Sequence, residues 1–570
     1  MNDAMQGHPV RPLPALSGRP MHSLLDEAVA RFADRPCLDF LGTSYSYAEV
    51  GRLVDRVARG LQAIGVGKGT RVGLCLPNTP YSVIGYYGIL KAGGIVVNYN
   101  PLYVERELRH QIEDSGTTVM LTLDERCLLG RVAAQLGASC LERVVVCPVA
   151  GIVSDGCTLF PSFTGAAVTP PSDDPHLIPF GRLIDNDGAP APVDIDPAED
   201  VAVLQYTGGT TGVPKGATLT HANVSVNAAQ VTYWLAGPPG EDRVLGVLPL
   251  FHVFAMTAAM NLAIHSGAEL ILLPRFELEE VVKRIAVKRP TFFPAVPTIY
   301  TALIAAAQQP GCDLSSIRCC ISGGAPLPLE VKERFEAVTG CTLVEGYGLS
   351  ETSPVATCNP VRGVNKAGSI GVPLPGTMVE IRAVDDPRRT AGPGEHGEVC
   401  VRGPQVMRGY WNRPEETADI FVGDFLRTGD VGRVDEDGYV FLTDRIKDLI
   451  LCGGYNVYPR VIEEALYQHP AVAECIVIGI PDGYRGQAPK AFVRLRDGTE
   501  ATPEGLKDFL SGHLSRIEMP KAIELRAELP KTAVGKLSKK TLIDEERVRA
   551  AVGDGVAGKG KSGGTMAHGF

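Results

Sequence analysis

From residue 23 to about residue 350, short apolar runs alternate with stretches of helical periodicity. Ser23 opens the first helical stretch, with Leu24, Leu25, Ala28, Val29 and Phe32 on one face. The runs Val72–Leu76, Gly94–Asn98, Val144–Cys147, Val201–Tyr206, Val244–Leu248, Leu270–Leu273, Ile317–Ser322 and Leu343–Glu345 read as strands. Strands that alternate with helices predict βαβ units and largely parallel sheets covered on both faces. The fold class is therefore α/β.

The pattern changes twice further on. Between 366 and 443 turn signals recur (Pro373-Leu-Pro-Gly376, Gly392-Pro-Gly394, Asp435-Glu-Asp-Gly438) between short β-like runs, predicting an antiparallel, barrel-like subdomain. After Asp444-Arg-Ile-Lys447 a compact α+β unit begins, with helices over Val461–His469 and Pro503–Leu514 and strands over Cys475–Gly479, Ala491–Leu495 and Ala522–Leu525. We divide the chain into a large domain (1–443), a hinge (444–447), a small mobile domain (448–545) and a flexible Gly/Lys/Ala-rich tail (546–570), disordered beyond Arg549. The Pro-rich residues 1–20 are expected to be loosely ordered. Residues 148–199, rich in Pro, Gly, Ser and Asp, read as a surface insertion.

Composition narrows the function. Of 570 residues 45% are apolar and 21% charged, as in globular proteins, and a net charge of -10 argues against nucleic acid as a partner. The 14 cysteines include no C-x-x-C pair and no zinc spacing, so they read as free thiols in a reducing cytoplasm; Cys319-Cys320 falls in a buried strand. No signal peptide and no membrane-spanning run is evident, which leaves only peripheral contact with a membrane.

The chemistry concentrates in Tyr206-Thr-Gly-Gly-Thr-Thr-Gly-Val-Pro-Lys-Gly216. It follows a strand, and a helical stretch is expected after it. Its glycines let backbone N–H groups converge on an anion, its threonines add hydroxyls, and Lys215 adds a mobile charge. It is not the P-loop NTPase motif, because Pro214 stands where that motif needs Gly. Gly555–Ser562 matches that motif formally, but no strand precedes it and no room remains for the receiving helix. Downstream, Glu351 in Tyr347-Gly-Leu-Ser-Glu-Thr352 is suited to bind magnesium near a triphosphate, and Tyr347 offers a face for adenine. Asp430 in Arg427-Thr-Gly-Asp430 can accept two ribose hydroxyls. Charge alone makes Lys536, among Lys531, Lys539 and Lys540, a solvated surface lysine. The set points to ATP-driven activation of a carboxylic acid.

From about Leu24 to Leu542 the chain resembles the AMP-forming acyl-CoA synthetases of the adenylate-forming superfamily. The motifs, in order, are Tyr206–Gly216, Pro249-Leu-Phe-His252, Ser322-Gly-Gly-Ala-Pro326, Gly346–Thr352, Gly368-Ser-Ile-Gly371, Gly397–Gly403, Leu426–Asp430, Asp444–Lys447, Gly453-Gly-Tyr-Asn456 and Pro530–Lys536. The run Gly403-Pro-Gln-Val-Met-Arg-Gly-Tyr-Trp-Asn412 is most similar to the bacterial medium- and long-chain fatty-acid branch. The resemblance implies two half-reactions with ATP, Mg2+ and coenzyme A. A fatty acid first becomes acyl-AMP with release of pyrophosphate; the thiol then displaces AMP.

By motif, Thr207 and Glu351 would hold the metal, and Thr207, Gly208, Gly209, Thr210, Thr211, Gly212 and Lys215 would cradle the phosphates. Gly324, Ala325, Pro326, Glu345, Gly346, Tyr347 and Gly348 would form the adenine slot, with Ser350 near the α-phosphate. Asp430 and Arg445 would hold the ribose. Lys536 becomes the catalytic lysine, overturning its reading from charge. Lys447 becomes a hinge about which the small domain rotates, so that Gly453, Gly454 and Tyr455 then face the pantetheine path. His252 is either a residue beside the acyl site or a packed core histidine, with Phe251, Val253, Phe254 and Met256 as tunnel candidates and 353–357 as another wall. Val461 stands where the family usually carries an acid, which puts that one role in doubt.

A homodimer and peripheral contact with the inner membrane face are compatible with the family. Aryl- or dicarboxylic-acid CoA ligation, loading of a carrier protein, and a catalytically silent nucleotide-binding regulator are the alternatives. No carrier domain follows the small domain, and the intact Thr207, Lys215, Glu351, Asp430 and Lys536 oppose the regulator.

Overall fold

The computed structural model describes residues 16–152, 174–207, 214–392, 394–452, 455–482, 484–532 and 536–557. The chain forms two compact units, one of Met1–Thr428 with Gly432–Leu442, the other of Gly429–Val431 with Thr443–Phe570.

The first unit is built on two large sheets. One has nine strands in the order Val372–Pro373, Val355–Cys358, Thr342–Gly348, Cys319–Ser322, Phe292–Ala295, Arg243–Gly246, Glu269–Leu272, Pro36–Phe40 and Thr43–Ser46. Its six central strands run parallel, and antiparallel pairs close both edges. The other has eight, ordered Gly409–Tyr410, Lys215–Thr220, Val201–Thr207, Ile95–Asn98, Arg71–Cys75, Val119–Leu123, Arg143–Cys147 and Leu177–Pro179. Central strands such as Ile95–Asn98 and Val119–Leu123 are buried at every position, which is why they read as continuous apolar runs. Helix Pro80–Lys91 begins with Pro in its first turn and is buried from Pro80 to Leu90, so helix as well as strand lies inside the core. Helix Tyr47–Ala63 is amphipathic instead, and Ser46 and Glu49 form a capping box at its start.

The turn-rich region from 366 folds as a five-stranded sheet of Met378–Arg382, Gly397–Arg402, Phe425–Val434, Phe421–Val422 and Val440–Arg445. In the second unit, Val472–Asp482 and Gly486–Leu495 form a long antiparallel pair flanked by Ile450–Cys452, Tyr455–Val457 and the parallel strand Ala522–Leu525. Helices Pro459–Tyr467 and Pro503–Ser511 pack Ile462, Leu466, Leu506 and Leu510 onto this sheet.

Two expectations need correction. The Gly/Thr-rich loop does not lead straight into a helix: strand Lys215–Thr220 intervenes and returns antiparallel along Val201–Thr207, and only then does Thr220 cap helix His221–Leu235. The tail is also not irregular from 546. Helix Lys539–Ala557 continues through it, because Glu545 pairs with Arg526, Glu546 with Lys490, and Arg549 with Glu524 on the sheet. Of the region expected as a surface insertion, 148–199, residues 153–173 lie outside the described residues, while Leu177–Pro179 adds the edge strand of the eight-stranded sheet and Phe180–Leu183 forms a short helix with Phe180 and Leu183 buried. The formal P-loop match at 555–562 lies, beyond Ala557, outside the described residues. Among the described residues thirteen cysteines are free, most of them buried, and no described helix is long and apolar enough to cross a membrane.

His221 carries a stability prediction. Its ring is 1% exposed, and Nδ1 accepts the Met21 N–H at 3.0 Å. Burial, with some repulsion from His22, pushes its pKa down to about 4. The unfolded chain therefore binds a proton near pH 6.5 that the native state refuses until about pH 4, and stability falls as pH drops through that window, by up to about 1.4 kcal/mol per pH unit. Both tryptophans, Trp234 and Trp411, lie in the first unit. Denaturation followed by tryptophan fluorescence at pH 7 and pH 5 should show this loss, and His221→Gln should reduce the difference between the two pH values.

Candidate active site

The hairpin of Val201–Thr207 and Lys215–Thr220 makes Thr207 and Lys215 register partners, so the two ends of the phosphate-type loop stand side by side. The Thr207 hydroxyl donates to the Lys215 carbonyl at 3.4 Å. Gly208, Gly209, Thr210, Thr211 and Gly212 lie outside the described residues.

A third strand, Gly409–Tyr410, pairs antiparallel with Thr218 and Ala217. The Trp411 N–H extends the ladder to the Gly216 carbonyl at 2.8 Å, and the Met407 N–H donates to the Glu351 carbonyl at 2.8 Å. Glu351 sits in the single helical turn Ser350–Thr352 just beyond strand Thr342–Gly348. Its Oε1 accepts the Tyr410 hydroxyl at 2.7 Å. Lys215 Nζ stands 4.9 Å over the Tyr410 ring and 2.5 Å from Glu416, in the first turn of helix Pro414–Ile420. At the cap of that helix Arg413 pairs with Asp114, whose other oxygen accepts the Tyr206 hydroxyl at 2.6 Å. Burial, then the neighbouring carboxylates, push both tyrosine hydroxyls far above their usual range, so both act as neutral donors.

The adenine candidates gather beyond the ends of two adjacent parallel strands, where Ser322 pairs with Glu345. The Glu345 carboxylate accepts the Leu327 N–H at 3.2 Å and ties the loop holding Gly324, Ala325 and Pro326 to the next strand. Gly324 has φ +79°, a left-handed conformation that suits glycine. Gly348 has no space for a side chain: a Cβ would lie 1.7 Å from the Pro354 carbonyl oxygen. Gly346 pairs with Cys358, and Tyr347 packs on Ile370, Ile381, Val399 and Val440. Ser350 opens the turn that carries Glu351.

His252 caps the short helix Val253–Ala255, its Nδ1 accepting the Phe254 N–H at 3.3 Å, so it has a local structural role. Its neighbours Val253, Phe254 and Met256, expected as tunnel residues, pack into the core of the first unit. The Phe254 ring packs so closely on Gly323 that a Cβ there would come within 3.0 Å, Gln205 donates to the Phe251 carbonyl, and Met256 meets Asn98. Val253 and Met256 are fully buried.

In the second unit Asp430, 3% exposed, accepts from Arg445 Nε at 2.9 Å. Burial and then the Arg445 charge push the Lys536 pKa down to about 8. Lys447 lies in the helical turn Ile446–Asp448. Gly453 and Gly454 are outside the described residues, and Tyr455 starts strand Tyr455–Val457. Near Val461, Glu463 accepts the Val477 N–H at 2.8 Å and lies 3.6 Å from Lys539, so this acid is engaged within its own unit.

The hydroxyl of Thr207 and the carboxylate of Glu351 are hard oxygen donors, the kind Mg2+ takes alongside phosphate oxygens and water. Among the described residues no group of three His, Cys, Asp or Glu could hold an ion alone.

Sequence reading missed Asp114, Arg413 and Glu416 as neighbours of the site, and named Tyr410 only within a family run. The one local signal was Pro414 followed by Glu415 and Glu416, which marks a helix start.

Comparison with known proteins decides the family. The AMP-binding enzyme profile matches residues 25–411, and that of the AMP-binding enzyme C-terminal domain matches 461–536. The chain belongs to the AMP-binding enzyme family. It is 44% identical to a long-chain-fatty-acid–CoA ligase of Bacillus subtilis, over 93% of this chain and 95% of that relative. It is 35% identical to a feruloyl-CoA synthase of Amycolatopsis, over 87% and 93% of the two chains. Among solved structures, ATP-bound MatB of Rhodopseudomonas palustris superposes with a TM-score of 0.80 at 29% identity, covering 93% of this chain and 99% of its own. The anthranilate CoA ligase AuaEII with anthranoyl-AMP gives 0.82 at 27% identity, covering 95% and 99%.

In this AMP-binding enzyme Glu416 pairs with Lys215, the lysine expected from the sequence to meet a nucleotide phosphate. Glu416→Gln should therefore tighten ATP binding by about two- to fivefold, the range for a half-exposed ion pair. Calorimetric titration of ATP checks this, and the gain should vanish when Lys215 is also replaced by Ala.

Proposed function

We propose that this AMP-binding enzyme joins a fatty acid to coenzyme A through acyl-AMP. The observation that carries the reading is the convergence of Thr207, Lys215 and Glu351 on the hairpin that bears the phosphate loop. Similarity over nearly the whole chain to a long-chain-fatty-acid–CoA ligase supports a fatty acid as substrate.

A carboxylate is already ionised at neutral pH, so the first step needs no general base. Catalysis is by positioning and by stabilising charge at phosphorus. The magnesium ion, when bound, neutralises phosphate charge. Lys215 and the loop threonines hold the departing pyrophosphate, and Thr207 and Glu351 provide the metal's protein ligands. Gly324–Pro326 and Glu345–Gly348 receive the adenine, and Asp430 with Arg445 receives the ribose. Lys536 neutralises charge on the forming bond in the first step. Rotation about Lys447 then brings Gly453–Tyr455 to the pantetheine path for the second step, in which the thiol displaces AMP.

Lys536→Ala should slow acyl-AMP formation by about 100- to 1000-fold, as removal of a charge-stabilising group does, and leave thioester formation from supplied acyl-AMP far less affected. Separate assays of the half-reactions check this; equal losses would remove Lys536 from the role. An ammonium is needed, so the wild-type adenylation rate should fall as pH rises through about 8, a limb absent from the variant. A panel of short- to long-chain, aryl and dicarboxylic acids, read as AMP produced with and without coenzyme A, tests the substrate class. A preference for aryl or dicarboxylic acids would overturn the fatty-acid assignment.

A further inference from the structure

Tyr410 lies where the two large sheets meet the candidate active site. Its backbone belongs to the eight-stranded sheet, paired with Ala217 on the strand that leaves the phosphate loop. Its hydroxyl reaches Glu351, which hangs from the end of a strand of the nine-stranded sheet. Its ring lies under Lys215 Nζ at 4.9 Å. The residue is tightly held: its N–H donates to Thr417 Oγ1 at 2.9 Å, and at Gly409, with φ +151°, a Cβ would stand 2.5 Å from Thr417 Cγ2.

We propose that Tyr410 is a positioning residue with two separable roles, its hydroxyl orienting the Glu351 carboxylate toward the metal and its ring supporting Lys215 for the phosphates. This rests on the reading of Glu351 as metal ligand and Lys215 as phosphate ligand. A glutamate side chain has several rotatable bonds, while Mg2+ demands near-ideal octahedral geometry. A hydrogen bond that fixes one oxygen of Glu351 leaves the other to face the metal in a set direction, and outer partners of this kind change metal affinity by about 10- to 100-fold. The ring face supports the Lys215 ammonium without neutralising it, beside the ion pair to Glu416 that an incoming phosphate would replace.

The two roles separate by substitution. Tyr410→Phe removes the hydroxyl and keeps the ring; Tyr410→Leu removes both. In the full-length Phe variant the Mg2+ concentration that half-saturates acyl-AMP formation should rise about tenfold. Calorimetric binding of ATP in excess EDTA should stay within about twofold of wild type, since the ring remains. The Leu variant should show the same magnesium shift and, in addition, about two- to fivefold weaker ATP binding in EDTA. A Phe variant with wild-type magnesium dependence overturns the proposal, as does a loss of thermal stability with magnesium dependence unchanged. Glu351→Gln separates the two levels of the argument. If it too leaves magnesium dependence unchanged, the assignment of the metal ligand fails; if it shifts that dependence and Tyr410→Phe does not, only the role of Tyr410 fails.

Discussion

The site depends on a short backbone ladder. Ala217 and Thr218, on the strand that leaves the phosphate loop, pair with Tyr410 and Gly409, and the Met407 N–H just before them holds the carbonyl of Glu351. Backbone hydrogen bonds are made or broken as a set, and a slip of one residue would turn every side chain on the segment to the opposite face. Tyr410 would then point away from Glu351 and Lys215 together. Three residues far apart in the chain thus share one register. Its tolerance is set by main-chain geometry and not by flexible side chains.

The two large sheets explain why such a ladder is needed. Each has its own buried parallel centre, and each sends loops from the carboxyl ends of its strands toward the candidate site. The eight-stranded sheet carries Thr207 and Lys215, and the nine-stranded sheet carries Glu345–Gly348 and Glu351. Packing of apolar faces is strong but not directional, so it does not by itself fix the position of Lys215 relative to the Glu351 carboxylate. Directional contacts across the junction supply that precision: the Tyr410 hydroxyl on Glu351, and the Gln205 side chain donating to the Phe251 carbonyl at 3.0 Å.

What the sequence revealed follows from the range of the interactions. Strands buried on both faces are continuous apolar runs, so Val72–Leu76, Val144–Cys147 and Ile317–Ser322 were readable with boundaries shifted by a residue or two. The strand after the loop, Lys-Gly-Ala-Thr-Leu-Thr, was not. It is short, holds a glycine, and runs directly into the Thr220 cap of a helix, so its local signal merges with helix. The helix through 546–557 was hidden for a different reason. Its glycines and charges read as a tail, and only ion pairs with the distant Lys490, Glu524 and Arg526 show why it is ordered. The polar chain from Tyr206 through Asp114 and Arg413 to Glu416 and Lys215 spans up to 299 residues between direct partners, and no local pattern encodes such contacts.

The pairing of Lys215 with Glu416 has a consequence for selectivity. A bare lysine beside a glycine-rich turn would attract whatever small anion is abundant, and inorganic phosphate would compete with the nucleotide. A resident carboxylate already answers that lysine. An incoming anion would have to replace it, a cost that a ligand with further contacts offsets more readily than a bare phosphate. At the proposed site the internal counter-ion would thus bias binding, by a few fold, toward whole nucleotides over their fragments.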